Sequence, residues 1–173
     1  MLSRAIFVLC VLVMSGCSLR QNKTTANLQF TKIERVGQTV MYDVYFSSDI
    51  DIWGPYRSLI GVGFVCALED HADFRERYAM KRLMAGSVKR NPAGAKYGFI
   101  AAMLFSERVV NGSTERDLTP AEIKQMLARK TQVPCKFFAS ATMMETYFSN
   151  VMYVPVADIF RAIEGAIVAV GER

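Results

Sequence analysis

The chain contains a single histidine, His71, and few of the short patterns that surround a reactive side chain. No GxSxG elbow, phosphate loop or dinucleotide fingerprint occurs in it. No cysteine stands in a CxxC pair, and the one histidine is not placed to complete a zinc set. Asp49-Ile50-Asp51 begins like a calcium loop but lacks the further ligands and glycine spacing of an EF-hand. Met143, Met144 and Met152 have no neighbouring histidine or MxM repeat, so they read as core filling rather than copper ligands. His71, in Leu68-Glu69-Asp70-His71-Ala72-Asp73, reads as a solvated turn residue. The pairs Glu69/Asp70 and Asp49/Asp51 would serve hydrolysis only if folding made them converge, and turn formation is the reading their neighbours favour. These absences lead to the expectation of no catalytic set, no metal and no cofactor.

The N-terminus also lacks an apolar run long enough for a permanent span. Met1-Leu2-Ser3-Arg4 carries one positive charge, and Ala5 to Met14 is apolar before Ser15-Gly16-Cys17. About twenty apolar residues are needed to cross a bilayer, whereas a charged start, a short apolar core and small residues form a secretory signal. Met14-Ser15-Gly16-Cys17 resembles the lipobox of bacterial lipoproteins. That resemblance covers only the first twenty or so residues. It implies diacylglycerol attached through the sulfur of Cys17, cleavage of residues 1–16, and, with Ser18 rather than Asp after the cysteine, passage to the outer membrane. Three acyl chains on the mature terminus would make the anchor effectively permanent. Residues 17–27 read as a polar tether, leaving 28–173 as one domain facing the periplasm.

Composition supports a globular domain, with 51% hydrophobic and 21% charged residues. Loss of Arg4 with the signal leaves 20 Lys and Arg against 16 Asp and Glu, a net charge of +4. In an envelope protein that excess suits an acidic protein partner or anionic head groups, and nucleic acid is not expected. With Cys10 removed and Cys17 acylated, Cys66 and Cys135 remain, and an oxidising compartment makes one disulfide their simplest fate.

Leu28 to Val36 and Thr39 to Ser47 are β-rich runs around Gly37-Gln38, which predicts a hairpin. In the second run Val40, Tyr42, Val44 and Phe46 alternate with Met41, Asp43 and Tyr45, which predicts one buried face. Leu59 to Leu68 reads as a strand buried on both sides, its glycines admitting a close neighbour. Phe74 to Ala85 is compatible with a helix or an edge strand. Asn91-Pro92-Ala93-Gly94 predicts a turn before a strand at Tyr97 to Phe105. Thr119-Pro120-Ala121-Glu122 is a capping box opening a helix to about Lys130 that buries Ile123, Met126 and Leu127. Strands are expected around Cys135, Phe137 and Ala139 and at Val151 to Val154, then a last helix with Ile159, Phe160, Ile163 and Ile167 on one face. The fold class expected is α+β: an antiparallel sheet with two helices from the C-terminal half packed on one face, and one disulfide.

The stretch Ile52-Trp53-Gly54-Pro55-Tyr56-Arg57 concentrates the residue types enriched in binding hot spots, so Trp53, Tyr56 and Arg57 are the candidate partner-binding residues. The alternative reading of the same residues is a cover for the open end of the core. The functional expectation is a membrane-anchored, non-enzymatic protein-binding domain. Its concrete form is an immunity protein that neutralises an antibacterial effector, such as one delivered by type VI secretion, in the periplasm. An accessory part of a secretion, pilus or surface-exclusion system, or an envelope hydrolase, is the alternative.

Overall fold

A computed structural model describes residues 24–56, 59, 61–70, 73–76, 80–109, 114–141 and 145–168. Cys17, Arg57, His71, Met143 and Met144 lie outside these. Strand β1 (Leu28–Arg35) pairs antiparallel with β2 (Met41–Ser48), from Leu28 opposite Ser48 to Arg35 opposite Tyr42. The turn falls at Gly37, whose φ of +56° is left-handed and costs glycine little. Tyr42, Val44 and Phe46 form the buried face that the alternation predicts, whereas Val40 of the same alternation is 48% exposed because it precedes β2, on the hairpin tip.

The chain continues through β3 (Gly61–Ala67), β4 (Arg82–Arg90), β5 (Gly98–Val109), β6 (Thr114–Asp117) and helix α1 (Pro120–Leu127). Then come β7 (Gln132–Ser140), β8 (Tyr147–Phe148), β9 (Met152–Pro155) and helix α2 (Val156–Val168). Every ladder is antiparallel, in the order β1-β2-β5-β4-β3-β7-β8, with β6 beside the end of β5 and β9 on β7. The class is α+β but dominated by this curved, half-barrel sheet. Residues 74–85 divide into a short 3₁₀ turn at Phe74–Glu76 and the start of β4. β4 is interior, between β5 and β3, because Met84 and Val88 fill the main core while Leu83 fills a smaller cluster on the opposite face. β6 (TERD) is exposed throughout and shows no apolar period; pairing with Ser106–Val109 makes it a strand.

The concave face holds the core. Phe46, Phe64, Phe99, Phe105 and Phe137 are fully buried there, and Phe46 stacks on Phe64 and Phe99 with centroids 4.8 and 5.6 Å away. Both helices contribute to the same cluster, α1 through Ile123 and Leu127 and α2 through Val156, Ile159 and Ile163. The capping box of α1 is complete: Thr119 Oγ1 accepts from the Glu122 N–H, and the Glu122 carboxylate accepts from the Thr119 N–H at 2.8 Å. α2 packs against β1 and β9, the strands flanking the seam of the half-barrel. Residues 24–27 stitch that seam. The Ala26 N–H donates to the Tyr147 hydroxyl at 2.8 Å, and the Asn150 N–H donates to the Ala26 carbonyl at 2.9 Å. No helix among the described residues is long and apolar enough to cross a membrane.

Cys66 and Cys135 face each other across β3 and β7 and are bonded, S–S 2.02 Å, with both residues fully buried. The bond closes a loop of 69 residues, for which chain entropy gives about 4 kcal/mol. Each buried phenylalanine contributes about 1.5–3 kcal/mol, so the aromatic core outweighs the bridge. Reduction, or Cys66→Ala with Cys135→Ala, is expected to lower stability in urea unfolding by about 2–5 kcal/mol while the fold persists.

In the middle of the sheet β4 passes β5 very closely at Gly86. A Cβ there would lie 1.7 Å from the Ala102 carbonyl oxygen, a backbone atom with nowhere to go. Gly86→Ala should destabilise by more than about 2 kcal/mol. Gly165→Ala is the control: it meets open space on α2 and should gain up to about 1 kcal/mol in the same thermal or urea unfolding.

Candidate functional site

The Trp53 loop is built by Asp51. Its Oδ1 accepts from the N–H groups of Trp53 and Gly54 at 2.9 and 3.0 Å, and its Oδ2 accepts from Arg90 at 2.6 Å. Burial opposes ionisation of this carboxyl, but those backbone donors and Arg90 hold its pKa below the usual value. Ile52 is fully buried and Tyr56 is 8% exposed, its ring stacked on Tyr147 at 4.8 Å. Trp53 is half-buried against the core. Tyr56 is therefore part of the packing that closes this end of the half-barrel, and Trp53 lies at its rim. Asp49 is likewise a structural acceptor, bonded to the N–H and side-chain amide of Asn27 at 2.8 and 2.6 Å; those bonds lower its pKa.

Of the other carboxylates read from the sequence, Glu69 and Asp70 follow β3 in a turn, and Asp70 pairs with Lys130 at 2.5 Å. Met152 is buried in the core. Among the described residues no three His, Cys, Asp or Glu side chains are grouped to hold a metal ion.

A cluster that sequence reasoning missed joins β4, β5, β6 and α1. Glu107 accepts from Arg82 at 2.7 Å and from Arg116 at 2.5 Å, and Arg116 reaches Glu122 at 2.9 Å. They line a polar recess of about 310 Å³ together with Gln125 and Met126. Arg82, then Arg116, lowers the Glu107 pKa. Arg116, then the Thr119 N–H and hydroxyl, brings Glu122 to about 2. This alternating set of two carboxylates and two guanidinium groups ties β4, β5 and β6 to the cap of α1.

A second concave surface lies along β1. A groove of about 500 Å³ runs between residues 31–35, 37 and 38 on one side and Asp158, Arg161, Ala162 and Gly165 of α2 on the other. β1 ends the strand order, and among the described residues β2 is its one ladder partner. Its groove-side N–H and C=O groups are thus unclaimed by a strand. A register shift between Phe30 and Lys32 bulges the chain at Thr31. Within the groove Lys32 pairs with Glu34 at 2.7 Å and Arg161 with Asp158, while Arg35 donates from Nε to the Thr39 carbonyl. Beyond it the hairpin tip presents Val36 and Val40, 38% and 48% exposed. A clue was available in LQFTKIER itself, since charged residues on a strand are a mark of a sheet edge.

The Glu122 shift carries a pH dependence. Its folded pKa of about 2 lies below the unsupported 4.5, so its stabilising effect is complete above about 4.5 and is lost as pH falls toward 2. Stability of the native protein should decline across that window, and Glu122→Gln should flatten the decline in acid unfolding followed by circular dichroism. Comparison with known proteins gave no match: no family model, no curated protein and no solved structure is similar to this chain.

Proposed function

We propose that this chain is a lipid-anchored, non-enzymatic protein-binding module of the outer membrane, facing the periplasm, and that its partner is a protein toxin which it neutralises. The observation that carries the binding half of this reading is the open groove on the free side of β1, next to the exposed Val36 and Val40. An edge strand offers a partner backbone hydrogen bonds by strand addition, and the apolar tip offers a side-chain anchor. Neutralising a toxin requires only tight occlusion, so such a surface suffices without further chemistry. The anchoring half rests on Met14-Ser15-Gly16-Cys17.

Deletion of the gene should leave cells open to attack by armed siblings, and restoring the chain should rescue them. Val36→Asp with Val40→Asp should weaken rescue, while Cys17→Ser should abolish incorporation of labelled fatty acid. Equal survival of deleted and parental cells beside an armed sibling would exclude immunity. Crosslinking in intact cells with mass spectrometry of the captured partner separates a toxin from subunits of a secretion or pilus machine.

A further inference from the structure

The folded domain begins at its own lower end, where β1, β3 and β5 start and β2, β4 and β7 finish. Asn27 is fixed there by Asp49, and Ala26 by Tyr147 and Asn150. Cys17 precedes Thr24 by seven residues. Whatever path they take, seven residues span at most about 25 Å. The eight residues of β1 alone extend about 26 Å toward the opposite end. An anchored molecule standing on its β1–β2 hairpin would therefore need its lead fully stretched merely to reach the lipid.

We infer that, in the protein acylated at Cys17, the lower end of the half-barrel rests on the lipid head groups, with Trp53 and Lys96 at the contact, and that the β1–β2 hairpin points away. This rests on the lipobox reading. The residues gathered at that end suit a head-group surface. Trp53 is half-buried at the rim, a position in which an indole lies between apolar and wet surroundings. Lys89, Arg90 and Lys96 are exposed at the same end of the sheet, Arg90 as the partner of Asp51, and Lys96 Nζ lies 5.2 Å from the Tyr97 ring centroid. Of the acids at this end, Asp51 is engaged with Arg90 and the loop N–H groups and Asp49 with Asn27, while Glu145 is exposed in the β7–β8 connection. Cations near anionic lipid are attracted to it, which orients a domain whose anchor already holds it close. The partner-binding groove is then presented toward the periplasm at its hairpin end.

The chain has one tryptophan, so Trp53 reports on its own surroundings. The acylated full-length protein would be reconstituted into vesicles of phosphatidylethanolamine and phosphatidylglycerol, with and without bromine on the lipids near the head group. Brominated lipid is expected to quench Trp53 emission, and the vesicles to shield it from aqueous acrylamide. A second protein, Trp53→Phe with Val40→Trp, moves the reporter to the exposed hairpin tip and should be quenched by acrylamide but not by lipid. Acylated protein that floats with the vesicles while Trp53 escapes the lipid quencher would overturn the orientation, as would equal quenching at position 40. Protein that carries no acyl chain and does not float would instead remove the lipobox reading, and this inference with it.

Discussion

Everything in this fold follows from covering one apolar sheet face with very little helix. The seven strands of the main path, about 4.8 Å apart, make a surface of the order of 30 Å wide. The helices supply 8 and 13 residues, about 12 and 20 Å of rod. Two such rods cannot roof that sheet, so it curls and its aromatic face packs on itself. Phe46, Phe64 and Phe99 meet in the middle, and α2 lies where the curled edges approach each other. Within the sheet, the Ala102 carbonyl on β5 occupies the space a side chain at Gly86 would fill.

Closure decides what is left open. Residues 24–27 tie β1 to the β8 region through Tyr147 and Asn150, but β1 acquires no second ladder partner among the described residues. The half-barrel thus keeps an edge, and the groove lies along it. The two ends differ as well. One is filled by the Asp51 loop and Tyr56, the other by α1 and the Arg82–Glu107–Arg116–Glu122 set. The four charges of that set pair with one another and lock the helix cap.

Much of this was legible in the residues. Gly37 marked the first hairpin, Thr119 to Glu122 marked α1, and Tyr42, Val44 and Phe46 marked the inner face, because each is a local preference acting within a few residues. The spare cysteines marked the disulfide by elimination. The stretch 74–85 stayed ambiguous because its charges flank an apolar centre, and only neighbours on both sides decide that β4 is interior. β6 was invisible because nothing in TERD favours a strand until β5 is beside it. Tyr56 looked like a binding residue for a related reason: aromatic, proline and arginine on a loop describe a hot spot and a core lid equally well, and its stacking on Tyr147 depends on a residue 91 positions away.

By itself the sequence determined the antiparallel, helix-poor α+β class, the pairing of Cys66 with Cys135 and the cap of α1, since these rest on periodicity, elimination and short-range hydrogen bonding. The strand order, the curl, the free edge beside α2 and the ion-pair clamp were decided only by the tertiary structure. Those features join residues far apart in the chain, and their free energy comes from contacts that no local pattern encodes.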